Sequence, residues 1–241
     1  MNYLHEGLLQ LGFDKNEFYG VPTLSIEKIE EKMEIYVKAL QEYNAKFDLI
    51  NTDDHDEIVV RHILDSLSAA SEICKEISCR YLRGDEPLPQ NFTIADIGSG
   101  AGLPGIPLAT IFPQFNFTLL ERMTKRCGFL SHVKEILSLK NVTVLENQAE
   151  RIEQESFNIC VFRAFRPLEK KMTKVLRRIV KSNGFLAAYK AKSEKIEEEM
   201  NALETAKPNY VVRKLTVPFL TENTKDDAEE RERNLVIIEK N

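Results

Sequence analysis

The stretch from Asp96 to Ala109, DIGSGAGLPGIPLA, places Gly98, Gly100, Gly102 and Gly105 at every second or third position directly behind the β-rich run FTIADI. Glycine reaches positive φ at little cost and lets other groups approach the backbone closely. Pro104 and Pro107 fall where a helix begins, and proline is tolerated in a first turn because its missing N–H would have no partner there. The stretch therefore reads as strand, tight turn and helix. In a doubly wound sheet the turn after the first strand of a Rossmann-like unit meets the ligand most closely.

The rest of the chain supplies the setting for that turn. From Ser25, apolar residues recur at Ile26, Ile29, Met33, Tyr36, Val37, Leu40 and Tyr43, the spacing of an amphipathic helix. A second helical pattern follows Asp54 and runs to about Tyr81, so the first eighty residues read as all helix. RGDEPLPQN (83–91) has the composition of a surface connection. Beyond it, FTIADI, FNFTLLE, VTVLE, FNICVF and GFLAAY alternate with helical patterns over 125–137, 168–181 and 194–206. Such alternation predicts βαβ units and a mostly parallel sheet. NYVVRKLTVPFL and RNLVIIEK have no helix between them and read as an antiparallel pair at the sheet edge, joined by the acidic link TENTKDDAEERE, expected to be a mobile loop. The expected organisation is an N-terminal helical cap over 1–88 and an α/β, Rossmann-like domain over 89–241, with seven strands and helices on both faces.

Charge and composition narrow the chemistry. There is no run of eighteen apolar residues, and MNYLHEGLLQ lacks the pattern of a secretory signal, so the cytoplasm is the expected location and no membrane partner is expected. The four cysteines include no C-x-x-C pair and the four histidines are not spaced as ligands, so no metal site is expected. The net charge is −5, yet residues 163–192 carry ten Lys and Arg against the single acid Glu169. That segment is a candidate basic face on an acidic chain, with Arg166, Lys170 and Lys171 at its start.

Two ligand classes fit the turn. Gly100 to Gly105 spells G-x-G-x-x-G, a dinucleotide fingerprint. Asp96 before the first glycine, followed by Ser99 among the glycines and by Glu121 at the end of the next strand, resembles the first two motifs of class I S-adenosylmethionine-dependent methyltransferases. That resemblance implies that Asp96, Gly98, Ser99, Gly100 and Gly102 border the methionine part of the cofactor and that Glu121 accepts from the ribose hydroxyls. A turn whose glycines serve chain geometry alone is the plain alternative.

Further elements narrow the family. RHILDSL (61–67), DIGSGAGLPGIPLA, TLLERMTKRCGFL (118–130), Ala149–Glu150, FRAF (162–165) and ERNLVIIEK (232–240) resemble, in order and spacing, the ribosomal RNA small-subunit methyltransferase G family, also called glucose-inhibited division protein B. The resemblance runs from about Tyr43 onward. It implies S-adenosylmethionine as cofactor, N7 of one guanine in 16S ribosomal RNA as target, and naked RNA or an assembling small ribosomal subunit as partner. By position it makes Gly98 and Leu103 cofactor contacts, puts Ala149 and Glu150 beside the adenine, and sets Arg163 near cofactor and substrate. Lys190 and Arg233 join Arg166, Lys170 and Lys171 as candidate substrate contacts. Three positions depart from the family pattern: Gln148 replaces an arginine, Ala191 follows Lys190 in place of glycine, and Asp48-Leu49-Ile50 stands where N-L-T is usual.

Guanine N7 offers a lone pair and carries no proton, so no general base is expected and Arg163 is expected to position rather than to titrate. Arginine suits such a site because its planar fork can hold phosphate or guanine O6. Arg163 as a structural ion-pair partner is the alternative, and His62 and Asp65, three apart on a helix, fit packing as well as catalysis. Two other functions stay open at this level. A nicotinamide-dependent oxidoreductase would be protected by NAD rather than S-adenosylhomocysteine, and a non-catalytic S-adenosylmethionine- or RNA-binding module would leave RNA unmodified.

Overall fold

The computed structural model describes residues 1–82, 88–89, 91–221 and 231–240. Most of the expected connection 83–91 and of the acidic link 221–232 lies outside the described residues. The N-terminal part begins with helix α1 (Tyr3–Gln10) and a hairpin of strands β1 (Glu17–Phe18) and β2 (Val21–Pro22). This hairpin corrects the reading of the first eighty residues as all helix. Its turn has positive φ at both Tyr19 and Gly20, the two-residue geometry favoured in hairpins. Tyrosine is not a usual residue for that conformation, so the turn carries no sequence signal.

Helix α2 (Ile26–Phe47) buries Ile29, Met33, Tyr36, Val37 and Leu40 on one stripe and ends where Asp48 turns left-handed at φ 49°. The segment expected as one helix from Asp54 to Tyr81 is divided. Asp54 caps α3 (His55–Ile58) by accepting the Glu57 N–H at 2.8 Å. A π-helical turn, Val59–Leu64, leads into α4 (Asp65–Leu67), and α5 (Ala70–Tyr81) follows. π-Turns are rare and concentrate at functional sites.

The remaining elements are β3 (Thr93–Ile97), α6 (Gly105–Ile111), β4 (Asn116–Glu121), α7 (Thr124–Ile136), β5 (Val142–Glu146), β6 (Phe157–Arg163), α8 (Lys170–Ile179), β7 (Val180–Lys190), α9 (Ser193–Asn201), β8 (Tyr210–Leu215) and β9 (Arg233–Glu239). The helix expected over 168–181 stops at Ile179, because β-branched Val180 already pairs with Phe157. The seven strands lie in the order β5-β4-β3-β6-β7-β9-β8; the first five run parallel and β9 is antiparallel to both of its neighbours. Strand β6 is a continuous buried run, as expected for a sheet covered on both faces. Its Ile159 and Val161 join the apolar cluster that contains α2, α6 and α7, whereas Cys160 and Phe162 join the cluster that contains α8 and α9. The N-terminal helices and the sheet share the first of these clusters. Strand order reverses between β3 and β6, which opens a crevice at their carboxyl ends, the usual ligand position in open α/β sheets.

Candidate active site

The glycine turn lies at this crevice and is tied down from three sides. Gly98 and Ser99 donate their N–H groups to Leu120 O at 2.8 and 3.1 Å, and the Ser99 hydroxyl donates to Asp96 O at 2.9 Å. Asp96 is buried beneath the turn, where one oxygen accepts the Gly105 N–H at 2.9 Å and the other has no partner among the described residues. Burial pushes the Asp96 carboxyl up to about 7, against the Gly105 hydrogen bond that lowers it. From the third side, the Tyr36 hydroxyl of α2 donates to Ala101 O at 2.5 Å.

The glycines divide into two kinds. At Gly102, φ +92°, a β-carbon would lie 2.6 Å from Ile106 and 3.2 Å from the Tyr36 hydroxyl, so the protein's own core requires glycine there. At Gly98, φ +70°, a β-carbon would stand 3.2 Å from the Phe165 ring at the edge of an open cleft of about 460 Å³. Glu121 lies in the same cleft, 4% exposed. One of its carboxylate oxygens accepts the Gly100 N–H at 3.0 Å and the other accepts those of Arg122 and Met123 at 2.8 and 2.9 Å. The acid thus locks the turn to the start of α7 and keeps about one lone pair, on Oε2, for a ligand. Ala149, Glu150, Met123 and Phe165 line the same cleft.

A second cleft, about 640 Å³, meets the first at Ala164 and Phe165 and is lined by His62, Asp65, Arg163, Lys190, Arg233 and Asn234 among others. Arg163 ends β6 and crosses to the π-turn. Its NH1 donates to Asp65 Oδ2 at 2.6 Å and to Arg61 O at 3.3 Å, and its NH2 donates to His62 Nδ1 at 3.3 Å. Arg233 of β9 approaches the other Asp65 oxygen at 3.3 Å as an ion pair without hydrogen-bond geometry. His62 accepts from an arginine and is therefore neutral; burial, then Arg163, lower its pKa to about 4. Lys190 is neutralised by Glu199, with contacts of 2.8 and 2.9 Å.

Of the residues singled out in the sequence, Gly98, Glu121, Ala149 and Glu150 converge on the first cleft, and Arg163, Lys190 and Arg233 on the second. Asp96, Ser99, Gly100, Gly102 and Leu103 build and support the turn and are not among the residues that line the first cleft. Arg166 pairs with Glu150 at 3.1 Å on the rim of the first cleft, apart from the other substrate candidates. Lys170 and Lys171 lie on a separate basic groove along α8, and Lys170 pairs there with Glu204 at 2.6 Å. The linking role of Phe165 and the contribution of Asn51 and Thr52 to the second cleft depend on chain crossings that no local spacing reveals.

A seven-stranded sheet in this order, a glycine turn after β3 and an acid closing β4 define a class I S-adenosylmethionine-dependent methyltransferase. A solved S-adenosylmethionine-dependent methyltransferase from Aquifex aeolicus shares the fold, with a TM-score of 0.51 and 16% identity over 77% of this chain and 93% of that one. The model of the rRNA small subunit methyltransferase G family, GidB, matches residues 29–228, and the chain belongs to that family. It is 37% identical to the ribosomal RNA small subunit methyltransferase G of Treponema denticola, over 98% of this chain and 95% of the relative. The protein of the same name from Klebsiella pneumoniae is 35% identical over 84% of this chain and 85% of the relative. None of these matches is an oxidoreductase.

Proposed function

We propose that the protein transfers the methyl group of S-adenosylmethionine to N7 of a guanine in 16S ribosomal RNA. The observation that carries this reading is the junction of the two clefts at Ala164 and Phe165, which puts a cofactor-sized space with a carboxylate next to a space lined by arginines. The residues present fit the cofactor, since Glu121 retains acceptor capacity within the cleft and a side chain at Gly98 would narrow it against Phe165. Glu121 is assigned to the ribose hydroxyls, Ala149 and Glu150 to the adenine side, and the turn from Gly98 to Leu103 to the methionine side. Asp96, Ser99, Gly100 and Gly102 shape that turn.

When bound, the cofactor supplies an electrophilic methyl on a sulfonium, which N7 takes with its lone pair as the carbon–sulfur bond breaks. No proton moves, and the chain supplies no base. Arg163 holds guanine O6 or a neighbouring phosphate and leaves N7 free, while Arg233 extends the cationic wall and Lys190, held by Glu199, offers the substrate a neutralised donor. Alignment of this kind can lower a barrier by roughly 7 to 11 kcal/mol. Residues 1–88 act as the helical cap that closes the RNA side of the site over the domain of 89–241. The substrate is the RNA of an assembling small subunit or the naked RNA, in the cytoplasm.

The test is incubation with labelled S-adenosylmethionine and under-methylated 30S subunits or their naked RNA, followed by mapping of the label. Label at N7 of one guanine supports the reading, and cofactor binding without transfer to either RNA sinks it.

A further inference from the structure

Arg163 is the one side chain proposed to position the reacting base, and what fixes it comes from the other half of the molecule. A guanidinium has five N–H donors in a rigid planar fork. Three are taken by the π-turn and the residue that follows it: both NH1 protons by Asp65 and the Arg61 carbonyl, and one NH2 proton by His62. The Nε proton and the second NH2 proton have no partner among the described residues, and Arg163 is 15% exposed at the wall of the second cleft. The π-turn matters to this geometry. It brings the Arg61 carbonyl, the His62 ring and the Asp65 carboxylate of one chain segment onto a single guanidinium.

Asp65 has a second task. Its side chain is 6% exposed and lies between Arg163 and Arg233, which come from different strands. Two guanidiniums sharing one poorly solvated wall repel each other unless a carboxylate stands between them. With it the group carries a net positive charge toward the cleft.

Building on the methyltransferase reading above, we infer that Asp65 and His62 are positioning residues for methyl transfer. They fix the Arg163 guanidinium so that two of its donors remain for guanine O6 or an RNA phosphate, and Asp65 sets its spacing from Arg233. Neither residue touches the reacting atoms. Their effect passes through Arg163, and that makes it measurable.

The experiment is single-turnover transfer to under-methylated 30S subunits at saturating cofactor and RNA, with wild type, Asp65→Asn, Arg163→Ala and the double variant. Asp65→Asn slows transfer by about 100-fold, the loss that a misplacement of about 1 Å can cause. Its affinity for S-adenosylhomocysteine stays at the wild-type value. The double variant is no slower than Arg163→Ala alone, because a residue that acts through another adds nothing once the other is gone. Losses that simply add would overturn the inference, as would a full rate in Asp65→Asn. Should Asp65→Asn fold poorly, His62 serves instead. His62→Leu slows transfer about tenfold, the worth of one hydrogen bond to a charged donor, whereas His62→Gln, which can still accept, recovers most of the rate; equal rates in the two would count against the cradle. Wild type reports separately on the parent reading, since its failure to methylate sinks that reading whatever the variants do. Nitrogen-15 resonances of the Arg163 guanidinium give a readout independent of transfer: distinct Nη signals in wild type that merge in Asp65→Asn. Merged signals already in wild type would show that the cradle does not hold the group.

Discussion

At the scale of single residues, the site separates groups that face a ligand from groups that hold the former in place. Glu121 does both, with three backbone N–H groups on its two oxygens. Glu121→Gln puts an amide donor where N–H groups already point, so both the turn and the ribose contact suffer. Calorimetry is expected to show S-adenosylhomocysteine binding weakened by about tenfold or more; unchanged affinity would remove Glu121 from the cofactor site. Asp96 acts from beneath and carries a pH signature. Its carboxyl ionises near 3.8 ordinarily and near 7 when folded, because burial opposes the charge. Below the lower value both states are protonated and the contribution is at its fullest. As pH rises from there toward 7, the unfolded chain releases its proton first, so stability falls. Denaturant unfolding at steps from about pH 5 to pH 7 is expected to show wild type losing stability relative to Asp96→Asn. A constant difference between the two would assign Asp96 an ordinary pKa.

At the scale of elements, α8 carries the chain's densest positive charge. Lys170 is engaged by Glu204, whereas Lys171 and Lys174 have no partner among the described residues. Filter binding across a salt series is expected to show Lys170→Glu with Lys171→Glu weakening RNA binding and flattening the slope of log K against log salt by about 0.7 to 1 per lost contact. Cofactor affinity should stay unchanged. Wild-type slope and affinity in the double variant would make α8 a solvated face, with the RNA path lying along the second cleft.

What was legible in the sequence follows the range of the physics. Strands β3 to β7 and the helices among them announce themselves through local periodicity, and the glycine turn and Glu121 through fixed spacing. The π-turn did not, because its apolar pattern over Val59, Val60, Ile63 and Leu64 fits an ordinary helix equally well. The partnership of Asp65 with Arg163 joins residues 98 positions apart, which periodicity cannot reach. Gly102 is constrained on both ranges: its φ of +92° and Ile106 at 2.6 Å are local, whereas Leu130 at 3.0 Å and Tyr36 at 3.2 Å come from distant parts of the chain.

At the scale of the whole molecule, the N-terminal helices and the sheet share one apolar cluster, which predicts that they unfold together. Thermal unfolding is expected to follow one transition by circular dichroism and by calorimetry, and S-adenosylhomocysteine should raise that transition as a unit, since a ligand of the native state stabilises it by mass action. Two separable transitions would show that the cap folds independently.

The position of β9 has a consequence for how the chain is made. It comes after all the other described strands in the chain, yet it lies inside the sheet, paired to β7 on one side and β8 on the other. A nascent chain emerging at roughly 5 to 20 residues per second has its helices and five parallel strands available while β7 still offers an unsatisfied edge and β8 has nothing to join. Arg233, the first residue of β9, arrives with the strand that closes this gap. The second cleft is therefore completed by the same late event that seals the sheet, so an unfinished chain lacks Arg233 from the wall of that cleft and exposes a sticky edge to quality control.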